Sequence, residues 1–294
     1  MATIRTRFAP SPTGLLHLGH ALAAMVARDL ARSTPDGVFL LRHEDIDGDR
    51  VRTEFYQTSE DDLHWLGLDW DGPAVRQTDR AAAHAEALEA LRAAGLLYPC
   101  FCTRREIREE IQRIGGAPHD GGAPPYPGTC RRLPHAVRDS RIASGRPHAW
   151  RLDSAAIAAL TGPLTFTDLR HGRIAANPDL LGDVVLARKD IGVAYHLAVV
   201  VDDAWQNITH VTRGEDLLSS THVHRLLQAW MKLPEPRYLH HHLITSPDGK
   251  RLAKRDESQS LRSLRESGMS AVELMDLLTA SFPSTPQSAR GIRK

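Results

Sequence analysis

Two histidines stand one helical turn apart in the stretch RFAPSPTGLLHLGH, residues 7–20. His17 and His20 occupy positions i and i+3, so on a helical turn both side chains can donate hydrogen bonds to one phosphate oxygen. Gly19 lacks a Cβ and lets a ligand approach the start of the next helix, where free backbone amides bind anions. This spacing indicates a nucleoside triphosphate that is attacked at its α-phosphorus. Alone, the pattern also fits a structural histidine pair or part of a zinc site.

A second cluster of cations lies far along the chain, in the stretch SPDGKRLAKRD. Lys250 and Lys254 stand four residues apart, and a basic loop of this kind can bind the β- and γ-phosphates of the same nucleotide. Standing alone, the loop is more typical of a solvated charged turn. Together with the histidines, it predicts a nucleotide site built from both ends of the chain.

The cysteines lie at positions 100, 102 and 130. An odd number of cysteines without an export signal indicates reduced thiols or metal ligands and argues against a disulfide framework. Zinc prefers a closed tetrahedral ligand set, so three thiolates leave one ligand to be found. From spacing alone His119 is a better candidate than Tyr126, because a tyrosine oxygen is an uncommon zinc ligand. Three reduced buried thiols without a metal are the alternative.

The elements that must position these residues follow from the apolar patterns. TIRTRFA predicts a strand, ALAAMVARDLAR a helix and VFLLRHED a buried strand, which form a βαβ unit with the histidine loop at its ligand-binding edge. We expect a further strand over HLAVVVDDAW and place VVLARKD in the second half of the same sheet. The Gly/Pro-rich tract near the cysteines indicates an insertion, and SLRSLRESGMSAVELMDLLTASF predicts two short helices. The predicted class is α/β with a doubly wound parallel sheet.

Composition excludes several other classes of protein. The 294 residues include 25% charged and 41% hydrophobic residues, which is ordinary for a globular protein, and the net charge of +1 argues against a generally polycationic nucleic-acid binder. The stretch MATIRTRFAP lacks the apolar core of a signal peptide, and no run of about 18 apolar residues predicts a membrane span. We therefore expect a cytoplasmic protein that does not associate with membranes.

The ordered motifs resemble the class I aminoacyl-tRNA synthetases and, within them, the glutamyl and glutaminyl branch. RFAPSPTGLLHLGH resembles the first signature with its HIGH-type motif, and RLAKR at 251–255 resembles the KMSKS-type loop with Ala253 where Ser is more usual. LLRHEDIDGDR and YHLAVVVDDAWQNITHVTRGEDLLSSTH resemble further segments, so the similarity spans roughly residues 4–280. The resemblance implies a Rossmann-type catalytic fold that uses ATP with Mg²⁺. It implies His17, His20 and Lys254 as catalytic residues, and Gly19 and Lys250 as further ATP-binding residues.

The resemblance also implies an amino-acid pocket and a zinc site. Arginine's planar fork can bind a carboxylate through two hydrogen bonds, so Arg213 and Arg7 are expected at the side-chain carboxylate of glutamate and Glu44 at its ammonium. The family pattern CxC…YxxxC implies one structural zinc ion with Tyr126 as the fourth ligand. The implied positions are Arg7, Ala9, Ser11, Glu44, Tyr195 and Arg213 for glutamate and Cys100, Cys102, Tyr126 and Cys130 for zinc.

The implied domain organisation has four parts. They are a first Rossmann half (1–97), an insertion with the zinc site and the acceptor-binding region (98–175), a second Rossmann half with the KMSKS-like loop (176–256) and a short helical appendix that contacts the tRNA stem (257–294). The chain ends about 40 residues after the KMSKS-like loop. We therefore expect no anticodon-binding domain, which would need roughly 100 to 200 residues.

A core of this size resembles the truncated paralogues of glutamyl-tRNA synthetase. Those enzymes activate L-glutamate with ATP in the absence of tRNA and esterify it to the queuosine base of tRNA(Asp); we also expect a monomer. One alternative is a true synthetase that charges the 3′ end of tRNA, and another is a different HxGH nucleotidyltransferase, such as an amide-forming ligase or a cytidylyltransferase. A third is a non-catalytic zinc-containing RNA-binding paralogue, which ATP/pyrophosphate exchange with glutamate would distinguish from the enzymes.

Overall fold

The computed structural model of the protein describes residues 3–107, 109, 125–188, 192–244 and 260–281. The chain opens with the expected βαβ unit of β1 (Arg5–Phe8), α1 (Leu18–Arg32) and β2 (Val38–His43). The two strands pair in parallel, with Arg7 opposite Leu40. Because both strands run in the same direction, the loop between β1 and α1 lies at their carboxyl edge, where such sheets bind ligands.

The central sheet is mainly parallel. On one side, β1 is followed by β2 and then by β3 (Val75–Arg76). On the other side lie four strands in the order β10 (His210–Gly214), β11 (Arg237–His241), β6 (Thr165–Asp168) and β7 (Gly172–Ala175), of which the pair β6 and β7 is antiparallel. The two groups meet where the Thr209 amide donates to the Arg5 carbonyl at 3.1 Å. The predicted α/β class with a parallel sheet is confirmed.

A separate antiparallel sheet is formed by strands that alternate in sequence with those of the second group, since β6 and β7 lie between its second and third strands. It contains β4 (Leu97–Cys100), β5 (Ala149–Leu152), β8 (Val185–Arg188) and β9 (Gly192–Val193). The placement of VVLARKD in the parallel sheet was wrong, because β8 pairs in antiparallel fashion with β5, where Ala187 lies opposite Trp150. An apolar run predicts a strand but not its partner, since the partner is set by residues distant in sequence. The boundaries of the predicted domains stay a prediction.

The strand predicted over HLAVVVDDAW was also wrong, because this segment is helix α6 (Tyr195–Trp205). A short continuous apolar run fits a buried helix as well as a buried strand, and here packing overrides the β preference of the three valines. The helix buries Leu197, Val199 and Val200 in an apolar core. It also buries Asp202 and Asp203, of which Asp203 contacts Arg7 on β1 and Arg42 on β2.

The remaining helices surround these sheets and form two main apolar cores. They are α2 (Glu54–Trp65), α3 (Ala81–Ala93), α4 (His135–Ala143), α5 (Ser154–Thr161), α7 (Leu218–Trp230), α8 (Leu261–Glu266) and α9 (Ala271–Ser281). The two short C-terminal helices were predicted, and Leu261, Leu274 and Leu278 pack them against the core around α1. Among the described residues, no helix has the length and apolar character that a membrane span requires.

Candidate active site

The two motif histidines form the N-terminal cap of α1. His17 is the N-cap residue, and its Nδ1 accepts a hydrogen bond from the Gly19 amide at 3.1 Å. The Nδ1 atom of His20 accepts from the His17 amide at 3.3 Å, and the two ring centroids lie 3.8 Å apart. A neutral imidazole that accepts at Nδ1 carries its proton on Nε2. The backbone therefore sets both rings to donate through Nε2 beside the first amides of the helix.

The structure gives a second reason for glycine at position 19, besides the approach of a ligand that the sequence suggested. A Cβ at this position would lie 3.1 Å from Cε1 of His17, closer than side chains normally pack. Any larger residue would press on the ring that caps the helix. Glycine therefore keeps the His17 imidazole in place as well as clearing the approach to the helix terminus.

One cleft of about 1270 Å³ joins the helix terminus to the predicted amino-acid pocket. Its lining includes every described position that the sequence assigned to ATP or to glutamate: His17, Gly19, His20, Arg7, Ala9, Ser11, Glu44, Tyr195 and Arg213. Lys250 and Lys254 lie outside the described residues. Ser260 also lines the cleft, and its backbone forms a single antiparallel β-bridge with His17. The cleft therefore brings together the predicted residues from both halves of the sheet.

The cleft wall at Arg7 is a network of buried ion pairs. Arg7 Nε donates to Asp203 Oδ1 at 2.8 Å, and Arg42 Nη1 contacts the same oxygen at 2.8 Å. Arg42 Nη2 lies 3.5 Å from Glu44 Oε1. Burial raises the pKa of Asp203, but the two arginines outweigh it and hold this pKa below the usual range. For Glu44 burial outweighs Arg42 and Arg7, so its pKa is raised.

The cleft wall at Arg213 is different, because this cation is surrounded by neutral acceptors. Its guanidinium donates to His240 Nε2 at 3.1 Å, Thr221 Oγ1 at 2.6 Å, His224 Nδ1 at 3.2 Å and the Tyr195 hydroxyl at 3.2 Å. Burial and the nearby Arg213 lower the pKa of His224 well below its ordinary value, so this ring is neutral. Arg213 is buried, with only 6% of its surface exposed. Within the described part of the chain it nevertheless forms no ion pair with a carboxylate.

The three cysteines and Tyr126 also come together. The sulfurs of Cys100, Cys102 and Cys130 lie within 4.8 Å of one another, and Cys102 Sγ is 3.4 Å from Cys130 Sγ and 3.5 Å from the Tyr126 oxygen. Sulfurs that share one tetrahedral zinc ion lie about 3.7 Å apart, given Zn–S bonds of about 2.3 Å. Hydrogen bonds, first of all from Cys100, lower the pKa of the Cys130 thiol to about 6, whereas the hydrogen bond to Cys130 and burial raise the pKa of Cys100 and burial raises that of Cys102. One thiolate therefore forms within the cluster itself. His119 lies outside the described residues.

Comparison with known proteins identifies the family. The profile described as "tRNA synthetases class I (E and Q), catalytic domain" matches residues 3–292. The chain belongs to this family of class I tRNA synthetases. The α/β fold with a parallel sheet is that of a class I synthetase, and the enzyme class is therefore that of a ligase.

Curated relatives fall into two groups by name. A protein of Rhodobacter capsulatus named glutamyl-Q tRNA(Asp) synthetase is 44% identical over 93% of this chain and 99% of its own length. A glutamate–tRNA ligase of Aquifex aeolicus is 37% identical over 99% of this chain but 60% of its own length. The solved structure of a glutamate tRNA ligase from Elizabethkingia meningosepticum, in complex with its amino acid, has a TM-score of 0.71 at 31% identity. That match covers 87% of this chain, which spans about half (52%) of the solved chain.

Several residues of this class I synthetase site escaped the sequence analysis. Asp203 and Arg42 hold Arg7 and Glu44, and Thr221, His224 and His240 surround Arg213. One signal was visible for Asp203, since two adjacent aspartates close an otherwise apolar run. Buried carboxylates require partners, so such a run predicts long-range ion pairs. The histidines and Thr221 carried no comparable signal, because their partners are distant in sequence.

Proposed function

We propose that this chain activates L-glutamate with ATP to glutamyl-adenylate in the absence of tRNA and then transfers glutamate to the queuosine base of tRNA(Asp). The observation that carries the first step is a buried arginine without a carboxylate partner among the described residues, in the same cleft as a histidine-capped helix terminus. A substrate carboxylate supplies the missing anion, and the helix terminus supplies the phosphate site. The acceptor is carried over from the names of relatives that match along most of their length.

In the first step, an oxygen of the α-carboxylate of glutamate forms a bond to the α-phosphorus of ATP. The bond from that phosphorus to the bridging oxygen of pyrophosphate breaks. His17 and His20 donate from Nε2 to the non-bridging oxygens, where charge develops in the transition state. Lys250 and Lys254, which lie outside the described residues, are assigned to the departing pyrophosphate. Mg²⁺ carried by the ATP phosphates supplies further neutralisation of charge. No covalent intermediate on the enzyme is required.

In the second step, a hydroxyl oxygen of the cyclopentenediol of queuosine bonds to the carbonyl carbon of glutamyl-adenylate. The bond from that carbon to the phosphate oxygen breaks, and AMP leaves with the hydroxyl proton. Within the pocket we assign Arg213 and Arg7 to the side-chain carboxylate of glutamate and Glu44 to its ammonium. Arg213 has the strongest support, because the positive charge of Arg7 already has Asp203 as its counterion. Ala9, Ser11 and Tyr195 are assigned to the walls of the glutamate pocket.

For the cysteine cluster we propose one structural zinc ion held by Cys100, Cys102, Tyr126 and Cys130. The donor set fits zinc because three sulfurs and one oxygen lie close enough for a closed tetrahedral site. The metal would fix residues 100–102 to the turn at Cys130. Metal analysis should give about one zinc per chain, and Cys102→Ser should lower both the zinc content and the unfolding temperature. Zinc content well below one in the wild-type protein would contradict the site.

Two measurements test the proposed function. ATP/pyrophosphate exchange should require glutamate and should proceed without tRNA, which a non-catalytic RNA-binding paralogue would not support. Purified tRNA(Asp) should then be glutamylated when it contains queuosine and not when it is an unmodified transcript.

A second candidate is favoured by the relatives named glutamate–tRNA ligase, and it is esterification at the 3′ end of tRNA. The same assay with unmodified tRNA(Glu) and tRNA(Asp) transcripts tests it. Glutamylation of either transcript would overturn the assigned acceptor and would support this candidate, while leaving the activation step in place.

A further inference from the structure

One buried residue contacts Arg213 and a second buried residue contacts the first, and neither of the two lines the cleft. Asp168 ends strand β6 and His240 lies on the neighbouring strand β11, and their side chains are 1% and 0% exposed. Asp168 Oδ2 accepts from His240 Nδ1 at 2.7 Å, and His240 Nε2 accepts from Arg213 Nε at 3.1 Å. The imidazole therefore lies between a carboxylate that has no contact with the cleft and a cation that lines it.

The backbone fixes the carboxylate of this group. Asp168 Oδ1 accepts from the amides of Arg170 and His171 at 2.8 and 2.9 Å, and Oδ2 also accepts from the amide of His240 at 3.1 Å. Burial raises the pKa of Asp168, but these hydrogen bonds and the one from His240 outweigh it and keep this pKa below the usual range. Asp168 is therefore an anion that can only accept, and it requires the proton of His240 to be on Nδ1.

The tautomer of His240 decides whether its Nε2 can accept a hydrogen bond from Arg213. With its proton on Nδ1, the ring presents Nε2 as an acceptor to the Arg213 Nε–H, and burial keeps the pKa of His240 below its ordinary value, so the ring stays neutral. The ring also stacks on Tyr238, with centroids 5.9 Å apart and an angle of 9° between the planes. Because Nε lies in the guanidinium plane, this bond limits rotation of the plane that faces the cleft.

We propose that Asp168 and His240 are positioning residues that hold the guanidinium of Arg213 in the orientation required to bind the side-chain carboxylate of the substrate. This inference rests on the proposed function, because it assigns a role to residues beside the glutamate pocket. We call the hydrogen-bonded chain from Asp168 through His240 to Arg213 the relay. It places no negative charge in contact with Arg213, so the cation stays available to an acidic substrate. It therefore favours glutamate over its amide, glutamine.

Two substitutions at His240 separate the two ends of the relay. His240→Gln can place an amide oxygen near the former Nε2 position and still accept from Arg213, whereas His240→Asn can donate to Asp168 but is too short to reach Arg213. The readout is the steady-state ATP/pyrophosphate exchange, with KM for glutamate, KM for ATP and kcat measured for each variant. We expect His240→Asn to raise KM for glutamate roughly tenfold or more with KM for ATP unchanged, because a charged buried donor loses its acceptor. His240→Gln should restore KM for glutamate to within about threefold of wild type, since it keeps that acceptor.

His222→Asn is the matched control. His222 is a buried histidine on α7 that accepts from the Asn177 amide at 2.9 Å and contacts Phe166 edge-on, and it makes no hydrogen bond to Arg213. This variant should leave KM for glutamate within about twofold of wild type, because an asparagine oxygen can replace Nδ1 as acceptor. Unfolding temperatures of all variants report any general loss of packing.

The outcomes separate the relay from the proposed function. Equal KM values for glutamate in His240→Asn, His240→Gln and wild type would overturn the relay and leave glutamate activation in place. A parallel rise of KM for glutamate and KM for ATP in both His240 variants would mark a general structural effect and would also overturn it. If the wild-type protein supported no glutamate-dependent exchange, the proposed function would fail, and the relay would fail with it.

Discussion

Arg7 and Arg213 line the same cleft and are nearly equally buried, at 4% and 6% exposure, yet their surroundings differ in charge. Arg7 shares Asp203 with Arg42, which also contacts Glu44, so these two cations lie beside two carboxylates within the protein. Arg213 donates to two imidazoles, a hydroxyl and a phenol, and each of these acceptors is neutral. A buried cation without a counterion is costly, and a bound carboxylate removes that cost. We therefore call Arg7 the scaffold arginine, since its charge is paired within the protein and its contact with glutamate would add only a hydrogen bond. We call Arg213 the binding arginine, since its charge is left for the substrate.

The largest expected effect comes from removing the binding arginine. Arg213→Ala should lower kcat/KM for glutamate in ATP/pyrophosphate exchange by about 100- to 1000-fold, because truncating one partner of a buried charge pair costs about 2–5 kcal/mol. The unfolding temperature should stay the same or rise, since the variant removes an uncompensated buried cation. Arg92→Ala, on the exposed face of α3, is the control and should exchange normally. Normal exchange in Arg213→Ala would remove this residue from the glutamate pocket.

Removing the counterion of the scaffold arginine is expected to change the free energy of unfolding. Asp203→Asn removes the counterion that Arg7 and Arg42 share, so we expect the free energy of unfolding to fall by about 3–5 kcal/mol, as when a buried pair loses one partner. Denaturant titration measures this change. Asp29→Asn is the matched control, because Asp29 pairs with Arg28 at the surface and such pairs contribute about 1 kcal/mol or less. If Asp203→Asn unfolded like the wild-type protein, Asp203 would not be the stabilising counterion that distinguishes Arg7 from Arg213.

A pH profile tests whether the scaffold network serves Glu44. The pKa of Glu44 is raised by burial, so this carboxylate is lost as the pH falls through a value above the ordinary glutamate pKa of about 4.3. Of the groups that act on it, Arg7 and Arg42 are cations, Asp203 stays ionised because its pKa is lowered, and Tyr195 stays neutral because its pKa is raised. If Glu44 binds the ammonium, kcat/KM for glutamate should fall on the acid side.

Glu44→Gln provides the comparison for that profile. The variant should lower kcat/KM for glutamate roughly tenfold at neutral pH, because a charge-assisted hydrogen bond is replaced by a neutral one. It should also remove the acid limb, since the titrating group is gone. An acid limb that persists unchanged in Glu44→Gln would assign the titration to another group and would leave the ammonium without this partner.

Local signals in the sequence were sufficient to predict a helix that begins beside the two motif histidines. The i, i+3 histidines, Gly19 and the good helix formers after them predicted where α1 begins, because capping and helix propensity act over a few residues. Long-range relations were not accessible in this way. The Arg7–Asp203 pair joins residues 196 positions apart, and Asp203 was expected in a strand that is in fact helix α6. The environment of an arginine, which decides its role, is therefore the part that required the structure.

The smallest expected effect tests the neutral surroundings of Arg213 one group at a time. Thr221 Oγ1 accepts from Arg213 Nη2 at 2.6 Å, and its side chain is fully buried. The same hydroxyl lies 3.2 Å from His240 Nε2, so Thr221→Val keeps the shape and removes both of these hydrogen bonds. KM for glutamate should rise about five- to tenfold, which corresponds to roughly 1–1.5 kcal/mol. KM for ATP should not change, because Thr221 does not contact the helix terminus that we assign to the phosphates.

Thr221→Ser is the control for that substitution, since it keeps the hydroxyl and loses a methyl group. If the Ser variant raised KM for glutamate as much as the Val variant, packing at α7 would explain the effect and the hydroxyl would have no specific role. If only the Val variant raised KM for glutamate, the Thr221 hydroxyl would contribute to holding Arg213 for its substrate. The contrast with Arg7 then extends from charge to orientation, because Arg7 is held by an anion that no substrate replaces.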